Sequence, residues 1–582
     1  MKNISTMEVI RQLRGYGKVN SDEDRVLRHD NKQRLLFAAV LVVVLLAVTI
    51  GVAITAFSST ENNTYNSYPS QPPPFTSSLS DTIKALCSLT SYPDLCHSTI
   101  SPINGSDLPN NPVELLKISL YSTMDEIANI SSLVSTLNFP LNDKRLGLAI
   151  KDCNELLDGA VSWINNSISL LSSKPLTDST VADLRAWLSA VVTDQETCLD
   201  GFDGTSGSVK DKLPVAMAKS TKLTSNNLAI ATGILGILHK LNFRTHRRKL
   251  LSTREGDFRR QLYLLSDPTR LAPNVTVAKD GSGLVVTISE AVNLAPLRSD
   301  DPFVIHVKAG VYHENVIIGR EKWNIILIGD DMYKTIVDGR LNFDDGTPTF
   351  STPTFAVDGK RFMARDMGFR NSAGPQNHQA VALRSSSDLS VFYSCSFDGF
   401  HNTLYAHSFR QFYCDCDITG TVDFIFGDAA AVFQNCTIRP RQPLPEQVNT
   451  ITGQGKKDPN ESTGFAIQGC IRSSYNDNTT VATYLGRSMK NYSTVMVMQS
   501  NISSVVDLKG WIGSTFGSVP PDTATFLEFN NTGSGLNVAG RVNWVGYRKV
   551  STEDAKKFTV DSFLKGSEWI PETGVPFKAS LN

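Results

Sequence analysis

The chain has 582 residues, with 56 Lys and Arg against 57 Asp and Glu, a net charge of −1, and 41% hydrophobic and 19% charged residues. That length and balance suit a globular protein with two or more full cores. The near-zero charge offers no basic excess for nucleic acid and no acidic block for a solvating tail, so a polyanion would have to be recognised locally.

Residues 1–34 form a polar tail in which Arg25, Arg28, Lys32 and Arg34 precede an uncharged, almost wholly apolar run at 35–57. The run is about the 20 residues needed to span a bilayer, and its basic flank predicts a transmembrane signal anchor with a cytosolic N-terminus. A long-leadered signal peptide cleaved behind the run is the alternative. Either way the remainder is exported through the secretory pathway, and without cleavage the precursor stays membrane-anchored, in the Golgi. Residues 58–80, with Tyr68-Pro69-Ser70-Gln71-Pro72-Pro73-Pro74, read as a stalk too polar and proline-rich to pack. Sequons such as Asn104-Gly105-Ser106, Asn129-Ile130-Ser131 and Asn274-Val275-Thr276 fit a secreted glycoprotein. All nine cysteines lie beyond the apolar run, as an oxidising compartment requires. Their spacing lacks the His-accompanied pairs of a zinc site, and neither metal nor cofactor is expected.

Residues 81–240 carry apolar positions at mixed three-and-four spacing, at Val113, Leu116 and Leu120, then Leu146 through Leu157, then Val181 through Val192. This periodicity predicts four main helices closing into an antiparallel, all-α bundle. Within it, Tyr92-Pro93-Asp94-Leu95-Cys96, Lys151-Asp152-Cys153-Asn154-Glu155, Trp187-Leu188-Ser189-Ala190 and Thr197-Cys198-Leu199-Asp200-Gly201-Phe202 resemble the plant invertase and pectin methylesterase inhibitor family. The resemblance implies disulfides Cys87 to Cys96 and Cys153 to Cys198. It leaves open whether the bundle restrains or chaperones the domain fused to it, or inhibits other enzymes. The linker at 241–268 holds Arg247, Arg248, Lys249 and Leu250 and then Arg259-Arg260, dibasic pairs in a polar segment able to extend into a protease cleft.

Residues 269–582 are short β-rich runs separated by Gly, Asn and Asp turns, repeating every 20 to 30 residues without amphipathic helices between them. That disfavours a doubly wound sheet and predicts a parallel β-helix, whose coils align distant residues along one groove. Gly420-Thr421-Val422-Asp423-Phe424-Ile425-Phe426-Gly427 reads as a buried strand with a single carboxylate among apolar neighbours. With Gly310-Val311-Tyr312-His313-Glu314, Gln379-Ala380-Val381-Ala382-Leu383, Arg410-Gln411-Phe412-Tyr413 and Leu485-Gly486-Arg487, it resembles the signature of plant pectin methylesterases over about residues 270–580.

The resemblance implies a right-handed β-helix that hydrolyses galacturonate methyl esters of pectin to methanol and free carboxylate in the cell wall. It assigns Asp423 as nucleophile, Arg487 as its orienting partner and a substrate contact, Gln379 as an oxyanion and substrate donor, and Thr349 as a further substrate contact. It pairs Cys416 with Cys436, and it makes the 241–268 linker the place where a subtilisin-like protease releases the mature domain. Four positions depart from the family pattern. His401 and Asn402 stand where the family has the oxyanion Gln and the acid/base Asp, Met489 replaces a Trp after Leu485-Gly486-Arg487-Ser488, and Ser514 replaces a Trp after Gly510-Trp511. An amide neither gives nor takes a proton at usable pH, so activity below that of relatives is expected unless the imidazole of His401 substitutes. A non-catalytic pectin-binding or regulatory protein, and an inhibitor acting through the bundle, are the alternative readings.

Overall fold

A computed structural model describes residues 78–101, 110–137, 143–205, 209–240, 272–472, 481–514, 518–536 and 538–582. The apolar run at 35–57, the stalk as far as residue 77 and the basic linker with Arg247, Arg248, Lys249 and Leu250 lie outside the described residues. No helix among the described residues is long and apolar enough to cross a membrane.

Helical periodicity becomes helices where local signals allow it. Two short helices, α1 (Leu79–Cys87) and α2 (Pro93–Ile100), precede four long ones, α3 (Pro112–Ser135), α4 (Lys144–Ser173), α5 (Asp178–Asp200) and α6 (Val209–Lys240). Asn111 and Asp143 cap α3 and α4 by accepting from Val113 N and Leu146 N. Thr177 and Thr180 satisfy each other's free N–H groups at the start of α5. The four long helices pack in a ring, α3 on α4 and α6, α5 on α4 and α6. Their apolar stripes, such as Leu146, Ala149, Ile150, Leu157, Ile164 and Ile168 of α4, meet inside. Disulfides Cys87–Cys96 and Cys153–Cys198 join α1 to α2 and α4 to α5.

From Val275 onward the strands form three sheets, of 11, 7 and 8 strands among the described residues, and every described strand pair is parallel. Successive coils stack in register, as in Phe392, Tyr413 and Phe433. Their rings stack 4.8 and 4.7 Å apart inside the solenoid. Each such buried aromatic contributes about 1.5–3 kcal/mol from apolar burial. Parallel sheets need cover on both faces. The outer face of the 11-stranded sheet, with Val391, Phe412, Val432 and Met496, receives Val560, Leu564, Trp569 and Ile570 from the C-terminal helices.

Cys416 and Cys436 differ from the expectation. Both are buried thiols, stacked in line with Cys395 on the coil before. Each Sγ lies within hydrogen-bond reach of backbone carbonyls, Cys416 of Phe392 and Cys414, Cys436 of Tyr413 and Gln434.

The bundle and the β-helix share a core. Phe409 of the β-helix is 4% exposed and packs among bundle residues, its ring 4.5 Å from that of Trp163. Around it, Arg410 Nη2 bridges Asp388 at 2.7 Å and Asp183 of α5 at 2.9 Å, and Trp187 Nε1 donates to Asp388 at 3.1 Å. The contact is therefore apolar at its centre, with charge pairs that are themselves buried or nearly so.

Candidate active site

Gln379, Asn402 and Asp423 occupy one corner on three successive coils, where the chain leaves the 8-stranded sheet for the 7-stranded one. Backbone bonds hold the corners together, from Ala380 N to His401 O at 3.1 Å and from Asn402 N to Val422 O at 3.0 Å. Residues about 20 positions apart thus become neighbours. Asp423 is not within a strand, as its apolar surroundings suggest, but in the bend between Asp417–Gly420 and Ile425–Gly427. The corner demands a backbone reversal, and Asp423 and Asn402 supply it with φ of +45° and +64°. Left-handed backbone costs a residue other than Gly about 1 kcal/mol or more, a strain that gathers at functional sites.

Asp423 is 2% exposed, and its charge is fully engaged. Arg487 Nε donates to Oδ1 at 2.9 Å and to Oδ2 at 3.0 Å, and Nη2 donates to Oδ2 at 2.5 Å. The Thr450 hydroxyl donates to Oδ1 at 2.7 Å while accepting from Asp423 N at 2.7 Å. Arg487 is itself aimed by its bond to Ser514 O at 2.8 Å. Burial opposes the guanidinium charge, and Asp423 outweighs it, so the Arg487 pKa rises above the usual value. A fork of this kind holds the aspartate as an oriented anion, the form in which it can attack a carbonyl carbon.

The other side of the corner is neutral. Gln379 Oε1, His401 Nδ1 and Asn402 Oδ1 are buried atoms without a hydrogen-bond partner among the described residues. Burial pushes the His401 pKa down to about 4, against the attraction of Asp423 and with the repulsion of Arg487. The imidazole is consequently uncharged above that pH. Buried polar atoms left open at one place fit a site that receives a polar ligand.

Beside the corner lies a cavity of about 390 Å³. Thr349, Gln379, Asn402 and Met489 line it, while Asp423, Arg487 and His401 stand outside its lining. Met489 still adjoins Asp423, since a β-carbon built on Gly453 would lie 3.0 Å from both Met489 Sδ and Asp423 Cγ. Sequence reasoning missed several lining groups. Tyr405 and Phe426 stack at 4.1 Å on neighbouring coils and supply an aromatic wall, for which the register of the two strands was the only signal. The far wall comes from the bundle, with Thr193, Glu196, Thr197, Asp200 and Gly201 at the C-terminal end of α5 and just after it. Among the described residues no group of three or more His, Cys, Asp or Glu is placed to hold a metal ion.

Comparison with known proteins agrees in both parts of the chain. The pectinesterase family model matches residues 274–567, and that of the plant invertase/pectin methylesterase inhibitor family matches residues 81–230. Pectinesterase 1 of Arabidopsis thaliana is 45% identical over 590 residues, covering 98% of this chain and 99% of its own. Pectinesterase 3 of Phaseolus vulgaris is 43% identical over 584 residues, covering 99% and 100%. Among solved structures, pectin methylesterase from carrot aligns with a TM-score of 0.53 and 45% identity, over 53% of this chain and 99% of the carrot chain.

Proposed function

The chain belongs to the pectinesterase family, and from that premise we propose that it is a cell-wall protein acting on galacturonate methyl esters of pectin, with turnover limited by Asn402. The observation that carries the proposal is the asymmetry of the corner: an intact carboxylate–guanidinium pair beside an amide where a proton donor is needed. In this reading Asp423 attacks the ester carbonyl carbon, and the aromatic wall and the Gln379 amide position the sugar and its oxyanion. The methoxide must leave with a proton. Asn402 has none to give, and a neutral His401 gives its own only reluctantly, so the acid step loses about 10²- to 10⁴-fold. After methanol departs, the acyl group on Asp423 is hydrolysed by water. His401 can accept a proton from that water, which makes it more useful in the second half-reaction than in the first.

Methanol release from highly methylesterified pectin tests the proposal. Slow release that Asn402→Asp accelerates supports it. If neither protein releases methanol although both are folded and bind pectin, the chain is a pectin-binding protein retired from catalysis.

The placement of α5 supports a second element of function. Its residues form one wall of the cavity, and Thr193 Oγ1 donates to Asp428 Oδ2 at 2.9 Å. We infer that the bundle caps its own β-helix, so cleavage in the 241–268 linker by a subtilisin-like protease would be one step toward opening the cleft. In this arrangement the face of α5 with Thr193 and Asp200 is occupied by this chain's own β-helix. A separate bundle that slows an active pectinesterase at equimolar concentration would argue for the alternative role as an inhibitor in trans.

A further inference from the structure

We propose that the outer face of the 8-stranded sheet carries a second binding site, a cavity between Tyr333, Asp417 and Arg439 that takes one neutral sugar ring. The site is separate from the corner around Asp423 and does not rest on the pectin reading.

The cavity measures about 150 Å³. None of its lining residues lines the cavity beside Asn402, and none comes from the bundle, so the bundle does not wall it off. Ile336, Gly368, Ser396 and Asp417 align on successive coils, and so do Asp338, Arg370, Asp398, Thr419 and Arg439. The two rows share a face because residues two apart along a strand point the same way. Gly368 has no side chain, and a β-carbon there would lie 2.5 Å from Met332 O. The turn at 331–334 therefore settles onto the sheet, where Ser396 Oγ donates to Met332 O at 2.8 Å. From that turn Tyr333 reaches across to donate its hydroxyl to Asp417 Oδ2 at 2.9 Å, 84 positions away. Tyr333 remains 55% exposed at the cavity edge.

Chemistry selects the ligand. The Asp417 side chain is only 7% exposed, and its Oδ2 also faces Arg439 Nη1 at 3.0 Å. Its Oδ1 is buried without a hydrogen-bond partner among the described residues, a state that calls for a donor. The charges around it are already matched, Arg439 with Asp417, Arg370 with Asp338 at 3.0 Å, and Arg441 with Asp398. A charged ligand would have to displace one member of such a pair and strand the other. A hydroxyl displaces none, since it donates to the carboxylate and accepts from guanidinium N–H groups, of which each arginine has several. Several hydroxyls on one rigid ring, with a C–H face for the Tyr333 ring, describe a neutral sugar. A cavity well under the roughly 300 Å³ of the smallest drug-sized sites suits a single ring.

Saturation-transfer NMR on the full chain tests the site with methyl β-galactopyranoside, β-1,4-galactotriose and galacturonate as probes. The glycoside is expected to bind with a millimolar Kd, and galacturonate about 5-fold more weakly. Galactotriose binding more tightly than the glycoside assigns the ring to a glycan chain, and equal affinity assigns it to a free sugar; both support the site. Ile336→Phe, which fills the cavity, should abolish binding, and Asp417→Asn should weaken it about 10-fold. Tyr333→Ala, on an exposed turn, replaces either variant that thermal unfolding shows to be misfolded, with about 5-fold weaker binding expected. Absence of saturation transfer at tens of millimolar glycoside overturns the proposal and leaves Asp417 Oδ1 to water. Binding that neither Ile336→Phe nor Tyr333→Ala changes overturns it too, because the sugar then sits elsewhere. Galacturonate bound more tightly than the glycoside, in a manner that Ile336→Phe removes, overturns the assignment to a neutral ring.

Discussion

On the Asp423 side of the corner, one carboxylate receives an arginine fork and a threonine hydroxyl; on the Asn402 side, three buried polar atoms have no partner among the described residues. The two sides share coils, backbone geometry and burial, so the difference lies in charge. A buried anion without partners would cost several kcal/mol, and the fold therefore carries its own counter-ion to Asp423. A neutral amide or imidazole left open costs only about 1–3 kcal/mol, small enough for a ligand-binding corner to retain. Electrostatic necessity thus places a cation beside Asp423 independently of catalysis, while nothing in folding demands a proton donor at position 402.

The largest effect that would break this contrast is expected from Asp423→Asn in an Asn402→Asp background. Methanol release should fall at least about 10³-fold, because an amide cannot form the acyl intermediate. Undiminished release would move the nucleophile elsewhere. Asn402→Asp alone should raise kcat by about 10²- to 10⁴-fold, and an unchanged kcat would mean that proton donation does not limit turnover.

Arg487→Met sharpens the comparison through stability instead of rate. Stranding the Asp423 charge should lower unfolding free energy by about 3 kcal/mol in denaturant titrations, whereas His401→Ala should change it by less than about 1 kcal/mol. Similar losses from both would show that the neutral side is equally committed.

The bundle contact repeats the same contrast and makes it pH-dependent. Asp388 is pushed up by burial, but Arg410 outweighs this and holds its carboxyl below the usual range. Asp194 and Asp152 are raised by burial to about 7 and about 6, with Arg320 and Arg384 only partly opposing for Asp194 and the Ser351 hydroxyl and Arg384 for Asp152. A carboxyl that binds its proton more tightly when folded stabilises the fold below its ordinary pKa of 3.8, and that contribution is lost as pH rises to about 7. Unfolding free energy should fall by several kcal/mol between pH 4 and 7, on the order of 5, and Asp194→Asn should remove roughly half of that slope or more. A slope unaffected by Asp194→Asn would assign the dependence to other groups. A small effect is expected from Thr450→Val, about 1 kcal/mol in stability and a few-fold in kcat, because Arg487 alone still orients the carboxylate.

Much of this protein was legible in its sequence because the decisive patterns are local. Helical spacing from Leu146 to Leu157 and the turn-punctuated β-runs after Asn274 each encode a repeat that only one architecture buries well. The motifs around Asp423, Gln379 and Arg487 pointed to residues that the fold brings to one corner, with Asn402 beside them. Tertiary structure decided the rest. It put Asp423 in a left-handed bend at a corner shared with Gln379 and Asn402, and kept Cys416 and Cys436 as stacked thiols. It also inserted Phe409 into the bundle core and set Glu196 against Lys490, 294 positions away. Contacts of that range leave no periodic trace in either segment, because each residue's choice of partner depends on how two surfaces far apart in sequence meet.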